Sequence, residues 1–339
     1  MNESSLATGD EGGGSGLVGA KVLWLICYGT LFLVGLANLH LVGLVVRNRL
    51  YQSVTNVYVL NLGLADAMLI FSIPLLISFT WTGRWIWGEL LCRLYWVAEQ
   101  SNKYASILFL TLLCVDRYLA ICLPLRSLVY RTRPLAVVAA LCCWLLVGLV
   151  LIPVYLYAHT FPAGPGRQVC VIVWPGTPKP ARSRSEIHFL IWAFLLLYVL
   201  PFALMAFFYY HVLRRLRQLS AKRCRMQTAT APPGHTPLTH AGGGGNLYGR
   251  VTKLILLITL LHFACWTPYW AMNLYSVLVL SGPPSYPLRI LFNLIHFLPY
   301  LNSAVTPILY GAFRTPRTDA APHPTTACCH HQNTAQTLL

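Results

Sequence analysis

"LLCVDRYLAICLPL" (residues 112–125) sets Asp116 beside Arg117 inside a mostly apolar run. Full charges are costly in hydrocarbon, so an acid and a base placed there must neutralise one another or serve a function. The run reaches back to residue 90, more than the roughly 20 residues that carry a helix across a bilayer core. Six more runs of similar length flank it, at 22–46, 54–80, 135–158, 187–213, 251–280 and 288–313. The 339-residue chain is 56% hydrophobic and 10% charged, too apolar to clothe a soluble protein of that length. These runs predict an all-α membrane protein, a seven-transmembrane helix bundle over residues 22–313. Open sheets leave their edges unsatisfied in lipid, and the runs far exceed the length of barrel strands.

The formal net charge of +16 would suit a nucleic-acid surface, but its distribution answers otherwise. With Met1 outside, Arg47, Arg49, Arg126, Arg131 and Arg133 fall at inner helix ends, as do Arg214, Arg215, Arg217, Lys222, Arg223 and Arg225. Residues 1–21 carry Glu3, Asp10 and Glu11 and no basic residue before Lys21. Positive-inside asymmetry makes the amino terminus extracellular, the carboxyl terminus cytoplasmic, and nucleic acid an unneeded partner. No basic region with an apolar core precedes the first span, which is therefore expected to act as a signal anchor. Asn2 opens a glycosylation sequon on the outer side.

Between the fifth and sixth spans, "TAPPGHTPLTHAGGGG" is made of residues that break regular structure, predicting a flexible cytoplasmic loop over about 220–249. Residues 314–339 form a short tail in which Cys328 and Cys329 are candidates for palmitoylation. His330 and His331 follow them without the second pair that a zinc site needs. Most of the eleven cysteines fall within spans, as small apolar residues. Cys92, at the outer end of the third span, and Cys170, in the Pro- and Gly-rich connection 161–186, both face the oxidising side, where a disulfide is chemically allowed.

The third span carries a patterned stripe. Glu99 and Arg117 lie eighteen residues apart, five turns, hence on one face and about 27 Å from each other. Asn102 and Ser106 continue the stripe, and Leu110 and Leu113 interrupt it. A conduction path needs polar lining throughout, so the stripe suits a signal carrier better than a pore. The Asp116–Arg117 pair alone fits either a latch that frees Arg117 for a cytosolic partner or a plain ion pair between helices. Asp66 sits midway along the second span, with Asn38, Ser106, Asn302 and Ser303 at similar depth. Pro268 in "FACWTPYW" removes a backbone hydrogen bond and should bend the sixth span next to Trp266. Pro307 precedes Tyr310 near the inner end of the seventh.

Asn38, Asp66, Cys92, the Asp116–Arg117–Tyr118 triplet, Trp144, Cys170, Pro201 with Tyr209, "CWTP" at 265–268 and "NSAVTPILY" at 302–310 occur in order along the spans. Together they resemble the rhodopsin-like (class A) G-protein-coupled receptors over residues 22–314. The likeness is nearest to the peptide-receptor branch of somatostatin, opioid, urotensin, galanin and neuropeptide B/W receptors. The resemblance implies that Arg117, once released from Asp116, engages a heterotrimeric G protein. Tyr118, Tyr209, Pro268, Pro307 and Tyr310 would serve the accompanying rearrangement, and Trp266 would be the switch beneath the ligand. It implies an allosteric sodium site of Asp66, Asn102, Ser106, Asn302 and Ser303, and no other cofactor or metal. The ligand pocket would be lined by Glu99, Gln100, Lys103, Trp266, Tyr269, Asn273, His296 and Tyr300.

Several positions depart from the family pattern. Glu99 stands where somatostatin and opioid receptors carry aspartate, and Lys103 follows one turn below, where pairing would neutralise it. Thr306 replaces the usual Asn or Asp before Pro307, His262 replaces a phenylalanine below Trp266, and Pro299 adds a break in the seventh span. One carboxylate among aromatic walls suits a cationic, aromatic neuropeptide or peptide hormone, with a small amine as the rival ligand. Gi/o is the expected coupling class, ahead of Gq. The basic run after the fifth span suits membrane lipid and G protein alike. Arrestin is a further candidate partner, although Pro316 leaves little room for an amphipathic helix after the seventh span. A transporter or channel is the rival of another class, and the paired halves typical of transporters are missing. No nucleophile–base pair stands at catalytic spacing, so the chain is not read as an enzyme. The expected location is the plasma membrane, crossed many times.

Overall fold

Every apolar run becomes helix, because in lipid each segment must satisfy its own backbone. The computed structural model describes residues 13–49, 52–176, 183–230, 243–280 and 285–314. Asn2, Cys328, Cys329 and most of the tail lie outside the described residues. The first span is α1 (Gly13–Gly35) followed by α2 (Ala37–Arg47), separated only by Leu36. A Cβ on Gly35 would come within 2.4 Å of Ile70 Cδ1, so the bare backbone lets the first two spans close together. The second span is α3 (Val54–Thr82), ended by Gly83 at φ 67°, whose N–H bonds Phe79 O at 2.8 Å. The third, α4 (Gly88–Cys122), leads through a short α5 (Pro124–Tyr130) to α6 (Arg133–Tyr157), which opens with proline in its first turn.

The fifth span is α7 (Arg184–Phe194), a single π-helical stretch Leu195–Val199 and α8 (Leu200–Thr230). The widened turn sits where the Pro201 ring would crowd the Leu197 carbonyl in a regular helix. The sixth is α9 (Gly243–Leu278), which runs through Pro268, and the seventh is α10 (Tyr286–Arg314), which contains Pro299 and Pro307. Six of the spans are long and apolar enough to cross a membrane by length and composition alone. The remaining one, α10, is as long and carries Arg289, Asn293, His296 and Asn302 among its apolar residues.

One expectation needs correction. Helix α8 continues to Thr230 and α9 begins at Gly243, so the connection expected over 220–249 narrows to residues 231–242, outside the described set. Ala, Lys, Arg, Met and Gln after Ser220 are good helix formers and prolong the fifth span. The connection after α6 forms a short hairpin at one end of the all-α bundle. β1 (Ala158–Pro162) pairs antiparallel with β2 (Gln168–Ile172), with Thr160 opposite Cys170. Val169, Val171 and Ile172 favour the pleated conformation, and Gly164 and Gly166 supply the positive φ values of the turn.

Helix α4 passes through the middle of the bundle, with Phe109, Leu110, Leu113 and Cys114 in the core it shares with α6, α8 and α9. Trp144 donates from Nε1 to Asn61 Oδ1 at 2.8 Å, fastening α6 to α3. A second core joins the first, second and seventh spans through Tyr28, Leu31, Leu69, Ile70, Ile73, Tyr300 and Ala304. On α6, Leu141, Leu145, Leu149 and Ile152 are exposed on the outside of the bundle, as a face turned to hydrocarbon should be.

Candidate functional site

At one end, a disulfide joins Cys92 to Cys170 with Cα atoms 5.5 Å apart, tying β2 to the start of α4. Backbone and side-chain bonds hold the hairpin down around it. Trp85 N–H reaches Gln168 O at 2.7 Å, Val173 N–H reaches Tyr157 O at 2.7 Å, and Arg167 Nε reaches Gly83 O at 3.0 Å.

Below this rim, Glu99 buries an Oε2 that has no hydrogen-bond partner. The phenols of Tyr28, Tyr95, Tyr269 and Tyr300 lie within electrostatic reach of it. Lys103 does not close an ion pair with Glu99; the ion pairs among the described residues are elsewhere. Its Nζ lies instead 4.7 Å from the Tyr104 ring centroid, 4.9 Å from that of Trp270 and 5.6 Å from that of Tyr269, because aromatic faces attract a cation held out of water. Tyr269 also meets His296 edge to face at 5.0 Å, and Trp266 at 5.3 Å. Gln100 is buried beside Tyr269. Tyr300 is buried with its phenol against that of Tyr95. Asn273 donates its amide N–H to Tyr269 O of its own helix at 2.8 Å, and its side chain also meets the Tyr269 phenol. The expected pocket residues therefore converge, and Trp270 and Tyr104 join them. Tyr104 follows Lys103 in the chain, but spacing could not tell that Trp270 of another helix would be its neighbour.

In the middle of the bundle, Asp66 is fully buried. Its Oδ1 accepts from Asn102 Nδ2 at 2.8 Å and from Ser303 Oγ at 2.7 Å, and Ser106 Oγ lies 3.3 Å from the same Asn102 nitrogen. Asn38 donates to Gly35 O at 3.1 Å and to Ser303 O at 2.8 Å, stapling the first span to the seventh. Four buried oxygens are left without a donor: Asp66 Oδ2, Asn38 Oδ1, Asn102 Oδ1 and Asn302 Oδ1. Thr306 donates its hydroxyl to Asn302 O at 2.9 Å within α10, so it offers a hydroxyl oxygen in place of the amide or carboxylate of the family pattern. The rings of His262 and Trp266 meet at a tilt, 5.7 Å between centroids, and His262 Nδ1 and Trp266 Nε1 are also unpartnered.

At the far end, Asp116 is held by more than its neighbour. Arg117 binds it through Nη2 and, at 3.1 Å, through Nε. Arg131, just past α5, donates from Nε to Asp116 Oδ1 at 2.6 Å, and Thr55 Oγ1 donates to Asp116 Oδ2 at 2.8 Å while accepting from Arg117. Each bond to a charged group is worth about 1.5–3 kcal/mol when buried. Arg131 and Thr55 escaped the sequence reading. The first looked like a topology signal, and a lone threonine carries none. Nearby, Tyr209 Oη lies 3.2 Å from Thr259 Oγ1, Tyr310 Oη donates to Asn56 Oδ1 at 2.9 Å, and the Tyr118 ring packs on Phe208 at 5.1 Å. A cavity of about 400 Å³ lies at this end, lined by Thr55, Arg117, Arg131, Arg250, Leu254 and Tyr310 among others.

Comparison with known proteins agrees with this geometry. Residues 37–310 match the family described as 7 transmembrane receptor (rhodopsin family). Somatostatin receptor type 1 of Rattus norvegicus is 28% identical over 311 residues, 91% of this chain and 72% of that protein. Somatostatin receptor type 4 of Rattus norvegicus is 30% identical over 312 residues, 91% and 73% of the two chains. Somatostatin receptor type 3 of Homo sapiens is 30% identical over 302 residues, 88% and 66% of the two chains.

Proposed function

The chain belongs to the rhodopsin family of seven-transmembrane receptors, and from that membership we propose that it receives an extracellular peptide and activates a heterotrimeric G protein. It is a multi-pass membrane receptor of the branch similar to the somatostatin receptors, and not an enzyme. The observation that carries the reading is the division of labour along α4. One end holds a buried carboxylate oxygen with no partner, at Glu99, and the other holds a guanidinium tied to Asp116. In our reading the disulfide end and the amino terminus face outside. The ligand is a cationic, aromatic peptide whose basic group meets Glu99 among the surrounding rings. Its binding favours a conformation in which α9 moves and Arg117 leaves Asp116 for the G protein, in the cavity beside Arg131 and Arg250. The likeness to somatostatin receptors favours Gi/o over Gq, and basic residues along α8 suit inner-leaflet lipid and the G protein; arrestin would dock at the same end.

The unpartnered oxygens around Asp66 fit a hard monovalent cation, which takes oxygen donors. Asp66, Asn102, Ser106, Asn302 and Ser303 would hold sodium, which would favour the conformation that binds it better. Nucleotide exchange on membranes carrying the full-length chain, with Gi/o and Gq supplied separately and a library of basic aromatic peptides, tests the reading. We expect peptide-dependent exchange that Arg117→Ala abolishes with binding intact. Exchange that persists in Arg117→Ala, or a library without an active member, would count against it.

A further inference from the structure

We infer that Lys103 receives the free carboxylate of the ligand, so that the pocket selects a peptide ending in an acid over the same peptide ending in an amide. This rests on the peptide-receptor reading above and names the ligand class of that site. Lys103 is 8% exposed. Tyr104 and Glu99 of its own helix, Tyr269 and Trp270 of α9 and His296 of α10 are the groups that face it. Ring faces ease the burial of a cation but bring no counter-charge. An ammonium held out of water without an anion keeps most of its desolvation cost, which an arriving carboxylate relieves.

Glu99, one turn away, provides part of that relief through space but closes no contact with the ammonium. No ion pair or hydrogen bond joins it to Lys103 among the described residues, and its own Oε2 is unpartnered. Two opposite charges therefore stand on one face of α4 without a closed ion pair, about 6 Å apart along the axis, with Lys103 the deeper. A carboxyl-terminal residue with a basic side chain offers the complement of both: its carboxylate for Lys103, its ammonium or guanidinium for Glu99. A terminal amide, or a small amine, answers Glu99 alone and leaves Lys103 buried with no anion in direct contact.

The test uses short peptides rich in arginine and aromatic residues, each made as free acid and as amide, with nucleotide exchange read on membranes carrying the full-length chain. Active members should be more potent as acids by about tenfold or more. Lys103→Met should bring the acid down to the amide, Lys103→Arg should keep the preference, and Glu99→Gln should weaken both forms with their ratio unchanged. Where Lys103→Met fails to reach the surface, the acid-to-amide ratios of the unaltered chain and of Lys103→Arg decide. Equal potency of acid and amide on the unaltered chain overturns the assignment and leaves the peptide-receptor reading in place. Silence of the whole library overturns both.

Discussion

Arg131 lies just past α5, yet it makes one of the shortest contacts to Asp116, at 2.6 Å. The acid is thus shared by two guanidiniums and the Thr55 hydroxyl. Removing Arg131 leaves Arg117 as the remaining cation on Asp116, and the partly exposed position limits the effect to the lower end of the range for bonds to charged groups. Arg131→Ala should raise unstimulated nucleotide exchange by up to about tenfold, with peptide binding retained. Basal exchange at or below that of the unaltered chain would show that Arg131 does not restrain the latch. A structural bond elsewhere gives a contrasting forecast. Trp144→Phe removes the indole N–H that reaches Asn61, and should lower stability by about 1 kcal/mol, seen as a fall in the unfolding temperature of the solubilised protein with signalling unchanged.

Among elements, the hairpin β1–β2 and the helix α9 set the two moving questions. The disulfide joins Cys92 and Cys170, which are 78 positions apart in the chain. Cys170→Ala should cost about 2–5 kcal/mol, measured as thermal unfolding, because the backbone bonds of the hairpin alone cannot replace the covalent tie. In α9, Pro268 withholds one N–H from the helix. Pro268→Ala should stiffen it and reduce peptide-driven exchange while peptide affinity is kept; full exchange in that variant would remove the proline from the mechanism. The spans themselves were plain in the sequence, since lipid demands long uninterrupted apolar runs. Asp66 and Asn102 were legible for the same reason, being polar groups that hydrocarbon does not tolerate without partners. The hairpin was hidden by its Pro- and Gly-rich neighbours, and α8 overran its expected end because helix-forming basic residues continue where hydrophobicity stops. Lys103 was ambiguous in principle. Helical spacing sets it beside Glu99, and only the placement of Tyr269 and Trp270 on another helix decides where its ammonium goes.

Across the whole molecule, the middle layer links the first three spans to the seventh through Asp66, Asn38, Asn102 and Ser303. A cation held there would draw these spans together, so sodium should raise the unfolding temperature relative to an equal concentration of a bulky organic cation. Asp66→Asn should erase that difference; persistence of the sodium effect in Asp66→Asn would place the ion elsewhere. Gly35 sits in the same layer, with the Ile70 side chain filling the space beside it. Anyone trying to toughen this receptor for purification by swapping helical glycines for alanine has free choice at Gly43 and Gly148, where an added methyl meets nothing within 4 Å. At position 35 the same swap wedges two spans apart beside the polar layer around Asp66, and a variant chosen for ruggedness would lose it there first.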